Sequence, residues 1–509
     1  MAPNQPPPAG KPYAVLQAVS RHPKVVCSDG LAGFFKSAQW SADGTTIFAS
    51  SSTNTINTYI LPPSLDSPDP VTLTPQGILN LPEPVNAWSP CPYYTLHVPY
   101  SHAILAAVKD HPIAMFQAFP RTSDTSTPMS PLVANYPLIH TPTEAYQTPT
   151  ALLWPSPGTH FIAGTKNLIA YFDIDRSGLG SEPILRIPTI PSARTNAKGG
   201  GVGMRGTVSS LSVPSYGWED MGMSLVAAGT WTRWVGIYDL FRAGECVSVW
   251  SVKDADQDLQ GYSPAKGVGG NGIMQTIWSP CGRYLVINER KASGLLVYDV
   301  RGTGRLLCVL TGRDGDTNQR LSCDVYPSPG GQSGFEVWAG TKNGRILVWG
   351  LVGTETGYVK PTWDWQGHES AVGSTAMHRS GSVVATCSGS WTVVDHDEQQ
   401  YTDENSSSDD SSDDESCINS DSDSEDESGS DQIGDSSGDG HSASDSEGSG
   451  SNLLRPRIKI GESSLKVWFI KSPPAIVGGD INAAEGPEML EPGKDESNEV
   501  RKSGEPKSN

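Results

Sequence analysis

The feature that most constrains the fold is a unit of about 40 residues that recurs along the chain, and its clearest copy is residues 271–310. In this copy, a run of alternating apolar and polar residues ends at Trp278 and is followed by a Ser-Pro-Cys-Gly turn. Three further β-rich runs end at Asn288, Asp299 and Leu310. Short runs separated by turn residues are typical of strands. Four strands that close on an aromatic–Asp pair are typical of one β-propeller blade.

Six degenerate copies of the unit are recognisable elsewhere. Each begins at an aromatic, His or Leu residue near the end of its first strand and closes on an aromatic residue. They run from Trp40 to Tyr59, Trp88 to Phe116, Trp154 to Phe172, Leu211 to Tyr238, Tyr326 to Trp349, and His378 to Trp468. One small sheet cannot bury both of its faces, whereas sheets stacked in a ring can. The sequence therefore predicts an all-β protein: a seven-bladed WD40-type β-propeller.

The last copy is interrupted by an acidic tract. The chain carries a net charge of −20, yet residues 392–450 contain 20 Asp and Glu and no Lys or Arg, so the rest has 36 acidic and 36 basic residues. A tract of this composition cannot bury enough apolar surface to fold. Residues 382–389 and 464–470 read as the strands on either side of it. We therefore expect a disordered loop insertion in the last blade.

The predicted organisation has five parts, with long connections inside the propeller at residues 120–150 and 191–206. The parts are a disordered Pro-rich N-terminus (1–11), blades one to six with the first half of blade seven (12–391), the disordered acidic Ser/Asp/Glu insertion (392–460), the strand that completes blade seven (461–470) and a disordered polar tail (471–509). A strand near residues 13–19 is expected to close the ring beside the last blade.

Composition and motifs argue against several classes of protein. The eight cysteines form no Cys-x-x-Cys pair, which favours reduced thiols in the nucleus or cytoplasm. No secretory signal and no membrane span are predicted. Residues 201–206 match Gly-x-Gly-x-x-Gly but are not followed by a helical pattern, and residues 434–438 match Gly-x-Ser-x-Gly inside the acidic tract. We therefore expect no enzyme, no catalytic residues, no cofactor, no metal and no small-molecule substrate.

One face of the predicted ring collects cationic and aromatic residues. Loops between second and third strands share this face with the connections between blades. The candidate RNA-binding residues are Lys109, His111, Lys166, Arg205, Trp231, Arg233, Lys291, Arg320, Lys342 and Arg345. Trp234, Arg290 and Arg313 lie on the same loops and connections. Cations among aromatics suit phosphate contacts and base stacking on single-stranded RNA. Ordinary solvated loop charge is an equal alternative. Trp40, Tyr298, Trp349, Trp468 and His368 are instead expected to be structural, because their positions follow the repeat.

Four segments resemble motifs of the telomerase Cajal body protein family. In chain order they are Thr-Asn-Thr-Ile-Asn-Thr-Tyr-Ile-Leu-Pro (53–62), Lys-Asp-His-Pro-Ile-Ala-Met-Phe (109–116), Ala-Gly-Thr-Trp-Thr-Arg-Trp-Val-Gly-Ile-Tyr (228–238) and Thr-Asn-Gln-Arg (317–320). The resemblance implies a seven-bladed WD40 propeller that binds guide RNAs of the box H/ACA class, including small Cajal-body RNAs and telomerase RNA. It also implies that the protein directs these RNAs within the nucleus; divergent relatives are linked to splicing particles.

The predicted function is therefore non-enzymatic. The protein is expected to bind a small nuclear RNA or its ribonucleoprotein, to contact other proteins through the propeller faces, and to reside in the nucleus, in a Cajal body or the nucleoplasm, with the cytoplasm as a second location. The alternative is a protein-interaction scaffold whose acidic loop binds basic partners such as histones, ribosomal or splicing proteins. Among the serines of the insertion that have an acidic residue three positions on, five are candidate phosphorylation sites: Ser411, Ser412, Ser420, Ser422 and Ser424.

Overall fold

The computed structural model describes residues 11–22, 33–65, 67–119, 132–178, 180–190, 203–214, 225–253, 255, 268–302, 304–329, 332–394 and 457–471. Except for residues 11–13, all of them belong to one compact unit, Ala14–Lys471. The other unit combines Met1–Tyr13 with Ser472–Asn509. No helix in the described ranges is long and apolar enough to cross a membrane.

The described residues form strands and one short 3-10 helix, Pro99–Ser101, with no α-helix. The strands, in chain order, are β1 (Tyr13–Arg21), β2 (Phe35–Trp40), β3 (Thr46–Ser51), β4 (Thr55–Ile60), β5 (Val71–Thr72), β6 (Gly77–Asn80), β7 (Val85–Pro90), β8 (Ala103–Val108), β9 (Ile113–Gln117), β10 (Leu132–Tyr136), β11 (Ile139–His140), β12 (Ala145–Tyr146), β13 (Ala151–Leu153), β14 (His160–Thr165), β15 (Leu168–Asp173), β16 (Leu185–Pro188), β17 (Val208–Ser212), β18 (Leu225–Thr230), β19 (Trp234–Asp239), β20 (Glu245–Ser251), β21 (Ile273–Trp278), β22 (Tyr284–Glu289), β23 (Leu295–Asp299), β24 (Arg305–Leu310), β25 (Cys323–Pro327), β26 (Phe335–Gly340), β27 (Arg345–Val352), β28 (Gly357–Val359), β29 (Trp363–Gln366), β30 (Val372–Met377), β31 (Val383–Ser388), β32 (Trp391–Val394), β33 (Arg457–Ile460) and β34 (Ser464–Lys471).

Seven antiparallel sheets form the ring, which confirms the predicted fold class. From the inner to the outer strand, the blades are β2-β3-β4-β6, β7-β8-β9-β10, β13-β14-β15-β16, β17-β18-β19-β20, β21-β22-β23-β24, β25-β26-β27-β29 and β30-β31-β34-β1. Strands β28 and β5 add parallel fifth strands to blades five and seven. Two outer strands, β6 and β10, lie in Pro-rich stretches, and β10 falls inside residues 120–150, which the sequence analysis assigned to a connection.

The ring closes through the N-terminal strand, as the sequence predicted. Strand β1 lies next to β34 and becomes the outer strand of the last blade. On the other side of the closure, Trp40 Nε1 donates a hydrogen bond to Ala376 O (2.8 Å), and Ser374 Oγ donates one to Ala38 O (3.0 Å). The last blade is therefore built from both ends of the propeller sequence, so losing either contribution opens the ring.

The last blade is split as predicted, but the insertion is shorter than 392–460. Strands β31 and β34 pair from Val383↔Phe469 to Ser388↔Ser464. Beyond them, β32 and β33 form a second ladder from Trp391↔Ile460 to Val394↔Arg457. The placement of residues 392–394 and 457–460 in the disordered insertion is therefore wrong. Both short segments are rich in β-branched residues, which favour strand pairing. The candidate phosphoserines lie outside the described residues.

The residues predicted to be structural do pack in the core. Tyr298 and Trp349 are fully buried, and Trp468 is 8% exposed. His368 Nε2 lies 2.7 Å from Thr386 Oγ1, which also accepts a hydrogen bond from Trp468 Nε1 (2.8 Å). This network joins the two halves of the split blade, because Thr386 precedes the insertion and Trp468 follows it. The six cysteines of the described part of the chain carry no disulfide.

Candidate nucleic-acid interface

Loops between second and third strands meet the blade-to-blade connections at one end of the ring, which we call the upper face. The backbone shows the meeting directly between blades three and four. Lys166, in a second-to-third-strand loop, forms an isolated bridge with Thr207, in a connection. Trp231 N donates a hydrogen bond to Thr207 O (3.1 Å). The connection is thus held between two loops from neighbouring blades.

Three of the predicted residues form a group that we call the tryptophan platform: Lys166, Arg205 and Trp231. All three side chains are exposed, and Trp231 has 43% of its surface accessible. Thr232 Oγ1 donates a hydrogen bond to Arg205 O, and Gly206 N donates one to Asn167 Oδ1 (2.8 Å). The backbone around the platform is therefore fixed, while two cations and one indole ring face solvent. This combination can contact phosphates and stack a base.

A second cationic group surrounds the central channel. The innermost strands of the blades enclose a cavity of about 770 Å³. Among the described residues that line it, the bases are Lys36, Arg290 and Arg320, and the acid is Asp324. We call the three bases the channel mouth. Arg320 was predicted, Arg290 was noted beside Lys291, and Lys36 was missed because it lies on an inner strand rather than in a loop.

A buried network positions Arg320 and Arg290. Arg313 is 3% exposed, and its guanidinium donates to Gly340 O (3.0 Å), Asn288 Oδ1 (2.7 Å) and Leu321 O (2.7 Å). Asn288 Nδ2 also donates to Leu321 O (2.7 Å). Because Leu321 follows Arg320 and Asn288 lies two residues before Arg290, the network holds both mouth arginines in place. Arg313 itself is structural, which corrects its assignment to the cationic face.

Close backbone approach brings Lys36 towards Arg320. Ser322 N donates a hydrogen bond to Gly373 O (2.9 Å), and this links blades six and seven. A Cβ atom at Gly373 would lie 2.5 Å from Lys36 O, so only glycine allows blade seven to pack this closely on blade one. Lys36 Nζ donates to Val85 O at 3.4 Å.

The electrostatics of the channel mouth are unfavourable in the absence of an anion. Burial in the channel wall lowers the pKa of Lys36, and the charge of Arg320 lowers this pKa further. Although Arg320 reaches solvent, desolvation lowers its pKa as well, and the charge of Arg290 adds to the effect. Burial raises the pKa of Asp324 to about 6, against hydrogen bonds from Met377 N and Val325 N that lower it. Both Asp324 oxygens accept these backbone hydrogen bonds (2.7 and 2.8 Å), so the carboxylate serves the fold.

Besides Lys109, three of the predicted residues lie within ion-pair distance of acidic side chains. Arg233 Nε lies 2.6 Å from Glu289 Oε1, and Arg233 Nη2 lies 3.0 Å from Glu289 Oε2. Lys342 Nζ lies 3.2 Å from Asp314, and Arg345 forms an ion pair with Asp364. Only the first of these pairs is buried: the side chains of Arg233 and Glu289 are 18% and 1% exposed. Arg233 is thus a structural residue, and its charge is neutralised inside the protein.

The remaining predicted residues lie in upper-face loops but belong to neither group. Lys109 and His111 occupy the exposed loop of blade two, where Lys109 Nζ lies 3.8 Å from Asp110 and His111 Nδ1 lies 2.6 Å from Lys109 O. Lys291 is exposed beside Arg290. In the described ranges, no group of three or more His, Cys, Asp or Glu residues is placed to hold a metal.

Comparison with known proteins finds relatives over most of the chain, whereas no protein-family model matches it. The chain is 26% identical over 330 residues to guanine nucleotide-binding protein negative regulator 1 of Schizosaccharomyces pombe. This match covers 62% of this chain and 70% of the relative. It is 25% identical over 367 residues to telomerase Cajal body protein 1 of Mesocricetus auratus, and 24% over 366 residues to that of Rattus norvegicus. Both matches cover 70% of this chain, but they span only 58% and 59% of the two relatives.

These matches and the seven-bladed ring fit a divergent member of the telomerase Cajal body protein family. The resemblance inferred from the four motifs is thereby confirmed. The motif at residues 317–320 supplies Asn318, Gln319 and Arg320 to the channel lining, and the motif at 228–238 supplies Trp231 to the platform. Two of the family-like motifs therefore contribute to the two cationic groups of the upper face.

Proposed function

We propose that this protein is a non-enzymatic WD40-type propeller of the nucleus that binds a small nuclear RNA through its upper face. The bound RNA is of the box H/ACA small Cajal-body or telomerase RNA type, and the protein helps to localise the RNA or to assemble its ribonucleoprotein. The RNA class and the nuclear location come from the resemblance to the telomerase Cajal body protein family. The use of the upper face is argued from the residues.

The observation that carries the proposal is the tryptophan platform. Single-stranded RNA is bound by cations that follow the backbone and by aromatic rings that stack on unpaired bases. Trp231 is an exposed ring, and its loop and the loop of Lys166 are both held against the connection that carries Arg205. A hydrophobic core would bury this ring, and a purely solvated loop would not need to be fixed by contacts from two blades.

The binding experiment compares two changes on the platform with two matched changes on the opposite face. Lys166→Gln/Arg205→Gln removes two cations from the platform. Arg176→Gln/Arg283→Gln removes two exposed cations from loops at the other end of blades three and five. The RNA that copurifies from cells, transcribed with a 5′-hydroxyl end, is titrated at several salt concentrations. For single-stranded RNA, losing two phosphate contacts should lower the salt slope by about 1.4; the control should leave it unchanged.

Replacing Trp231 with Ala tests stacking separately. Loss of one stacked base typically weakens binding by about 1–3 kcal/mol without changing the salt slope. Equal affinities for the protein, the platform variants and the control would refute RNA binding at the platform. Recovery of histones, ribosomal proteins or splicing proteins with the intact chain, and no crosslinked RNA, would favour the scaffold alternative.

A further inference from the structure

Within the part of the chain that the structure describes, the three bases of the channel mouth form a cluster of like charges without an acidic ion-pair partner. Lys36 lies on β2 of blade one, Arg290 follows β22 of blade five, and Arg320 lies in the connection before β25 of blade six. All three line one cavity. The charges that act on Lys36 and Arg320 are those of other cations of the cluster, and they lower both pKa values. Asp324, the acid in the described lining, is hydrogen-bonded to backbone N–H groups on both oxygens. Bringing three cations together destabilises the fold unless an anion compensates them.

The cluster is also held in a fixed geometry. Leu321 O, next to Arg320, accepts hydrogen bonds from two buried donors, Arg313 and Asn288. Ser322 N binds Gly373 O, and Gly373 packs on the backbone of Lys36. A site whose backbone is already in place loses less conformational entropy when it binds a ligand than a flexible loop does. The backbone positions that carry the three cations are therefore fixed before a ligand binds.

The shape of the site limits the ligand. A polynucleotide backbone distributes its charges along a line, whereas these three cations line a single cavity. The cavity behind the opening, about 770 Å³, lies within the range of roughly 300–1,000 Å³ that is usual for small-molecule sites. Gln, Asn, Ser and Thr side chains in its lining can accept or donate hydrogen bonds to an entering group.

We propose that the channel mouth binds a compact polyphosphate, a group with several phosphates at one point. Two sources supply this chemistry: the 5′-triphosphate end of an RNA and a free inositol polyphosphate. The first source extends the proposed function and rests on it, whereas the second is independent of RNA. Arg290 and Arg320 would each form charge-assisted hydrogen bonds to phosphate oxygens, and Lys36 would contact the ligand from the opposite side of the opening.

The first experiment uses inorganic tripolyphosphate and the full-length chain, so that RNA binding plays no part. Isothermal titration at 150 mM NaCl should show one site. Arg290→Gln/Arg320→Gln should weaken binding at least about tenfold, because each charge-assisted hydrogen bond contributes about that factor or more. The control Arg176→Gln/Arg283→Gln removes the same charge from the opposite face and should bind as the parent does. Sodium sulfate at equal ionic strength should not compete.

Two further measurements keep the proposal open to refutation if the double variant is unstable. Lys36→Gln alters a different blade and should also weaken tripolyphosphate binding, and Arg290→Lys/Arg320→Lys should retain most of it. Absence of saturable binding, or equal affinities in the parent and in Lys36→Gln and the double Gln variant, overturns the proposal.

The source of the phosphate is decided by competition. RNA of one sequence is prepared with a 5′-triphosphate or a 5′-hydroxyl end, and inositol hexakisphosphate is the third competitor. At least tenfold better displacement of tripolyphosphate by the triphosphate RNA than by the hydroxyl RNA assigns the mouth to an RNA end. Equal displacement by both RNAs, with strong displacement by inositol hexakisphosphate, assigns it to a free polyphosphate. Failure of all three competitors overturns the proposal.

Failure of this proposal and failure of the proposed function are distinguishable. Binding of 5′-hydroxyl RNA without tripolyphosphate binding would overturn only the assignment of the mouth. Binding of tripolyphosphate without RNA binding would overturn only the RNA function.

Discussion

Replacing Arg233 with Ala should destabilise the protein strongly, although Arg233 lies in a loop. Its guanidinium donates to both oxygens of Glu289 and to Val252 O (3.1 Å). The Glu289 side chain is 1% exposed, and among the described residues it would keep the hydrogen bond from Gly270 N (3.2 Å) alone. Removing one partner of a buried ion pair costs about 3–5 kcal/mol, because the other charge stays buried without compensation. Since the Arg233 side chain is 18% exposed and water can reach the vacated space, we expect about 3 kcal/mol.

The matched control is Arg242→Ala in the same blade. Arg242 is 71% exposed and lies 3.7 and 3.8 Å from Asp239 and Glu245. Exposed pairs of this kind contribute about 1 kcal/mol or less. Urea unfolding monitored by tryptophan fluorescence measures the free energy of unfolding of both variants, and of Glu289→Ala and the double variant Arg233→Ala/Glu289→Ala.

The double variant isolates the interaction energy between Arg233 and Glu289 from the interactions of each residue with the rest of the protein. It removes both charges, so it should be more stable than the sum of the two single changes predicts, by about 1–3 kcal/mol. If Arg233→Ala loses no more stability than Arg242→Ala, the argument from the buried carboxylate is refuted. The more drastic Arg233→Glu would place two carboxylates together; a loss of RNA binding in that variant would report unfolding rather than a lost phosphate contact.

Three further predictions concern the split blade. Replacing residues 395–456 with a short turn should leave the melting temperature unchanged, because the pairing of β31 with β34 does not involve these residues. Deleting residues 464–471, which form β34, should instead abolish the cooperative melting transition. The opposite results would contradict the split blade. Burial lowers the pKa of His368 to about 4, so the unfolded state takes up the proton first as pH falls from 6.5 to 4. The contribution of His368 to stability, measured in urea titrations as the difference between the parent and His368→Gln, should fall over that interval by on the order of 3 kcal/mol, and a constant difference would refute this cause. The comparison removes the opposite contribution of Asp324, whose raised pKa stabilises the fold as its carboxyl takes up a proton. The 395–456 deletion should also tighten the binding of random RNA more than that of cognate RNA, most at low salt, because the twenty carboxylates of residues 392–450 are tethered to the loop that carries β32 and β33. Equal affinities in electrophoretic mobility assays would refute this competition.

The propeller was predictable because its evidence is local. Strand periodicity, turns such as the one after Trp278, and the recurrence of the unit are properties of short segments, and sheets of this kind have few other ways to bury their faces. Even the split blade was predictable, since residues 464–470 read as a strand on their own. Outer strands such as β10 escaped the sequence analysis because they lie in Pro-rich stretches whose pairing depends on the neighbouring strand.

The candidate site, unlike the fold, was only partly predictable from the sequence. The sequence alone placed Lys166, Arg205 and Trp231 on one face, because the position of a loop within a blade follows from the order of its strands. It did not separate Arg320 from Arg313, two arginines of the same connection, of which one lies at the channel mouth and the other is 3% exposed.

Only the tertiary structure determined which charged side chains are neutralised by a partner and which lie near other cations. Arg233 is neutralised by Glu289, a residue 56 positions away in the next blade, and Lys36 approaches Arg320 only because the ring closes and Gly373 lets blade seven pack on blade one. The physical reason is the range of the interactions. Backbone propensity and hydrophobic patterning act between near neighbours in sequence, whereas desolvation and Coulomb energies depend on which distant residues the closed ring brings within a few ångströms.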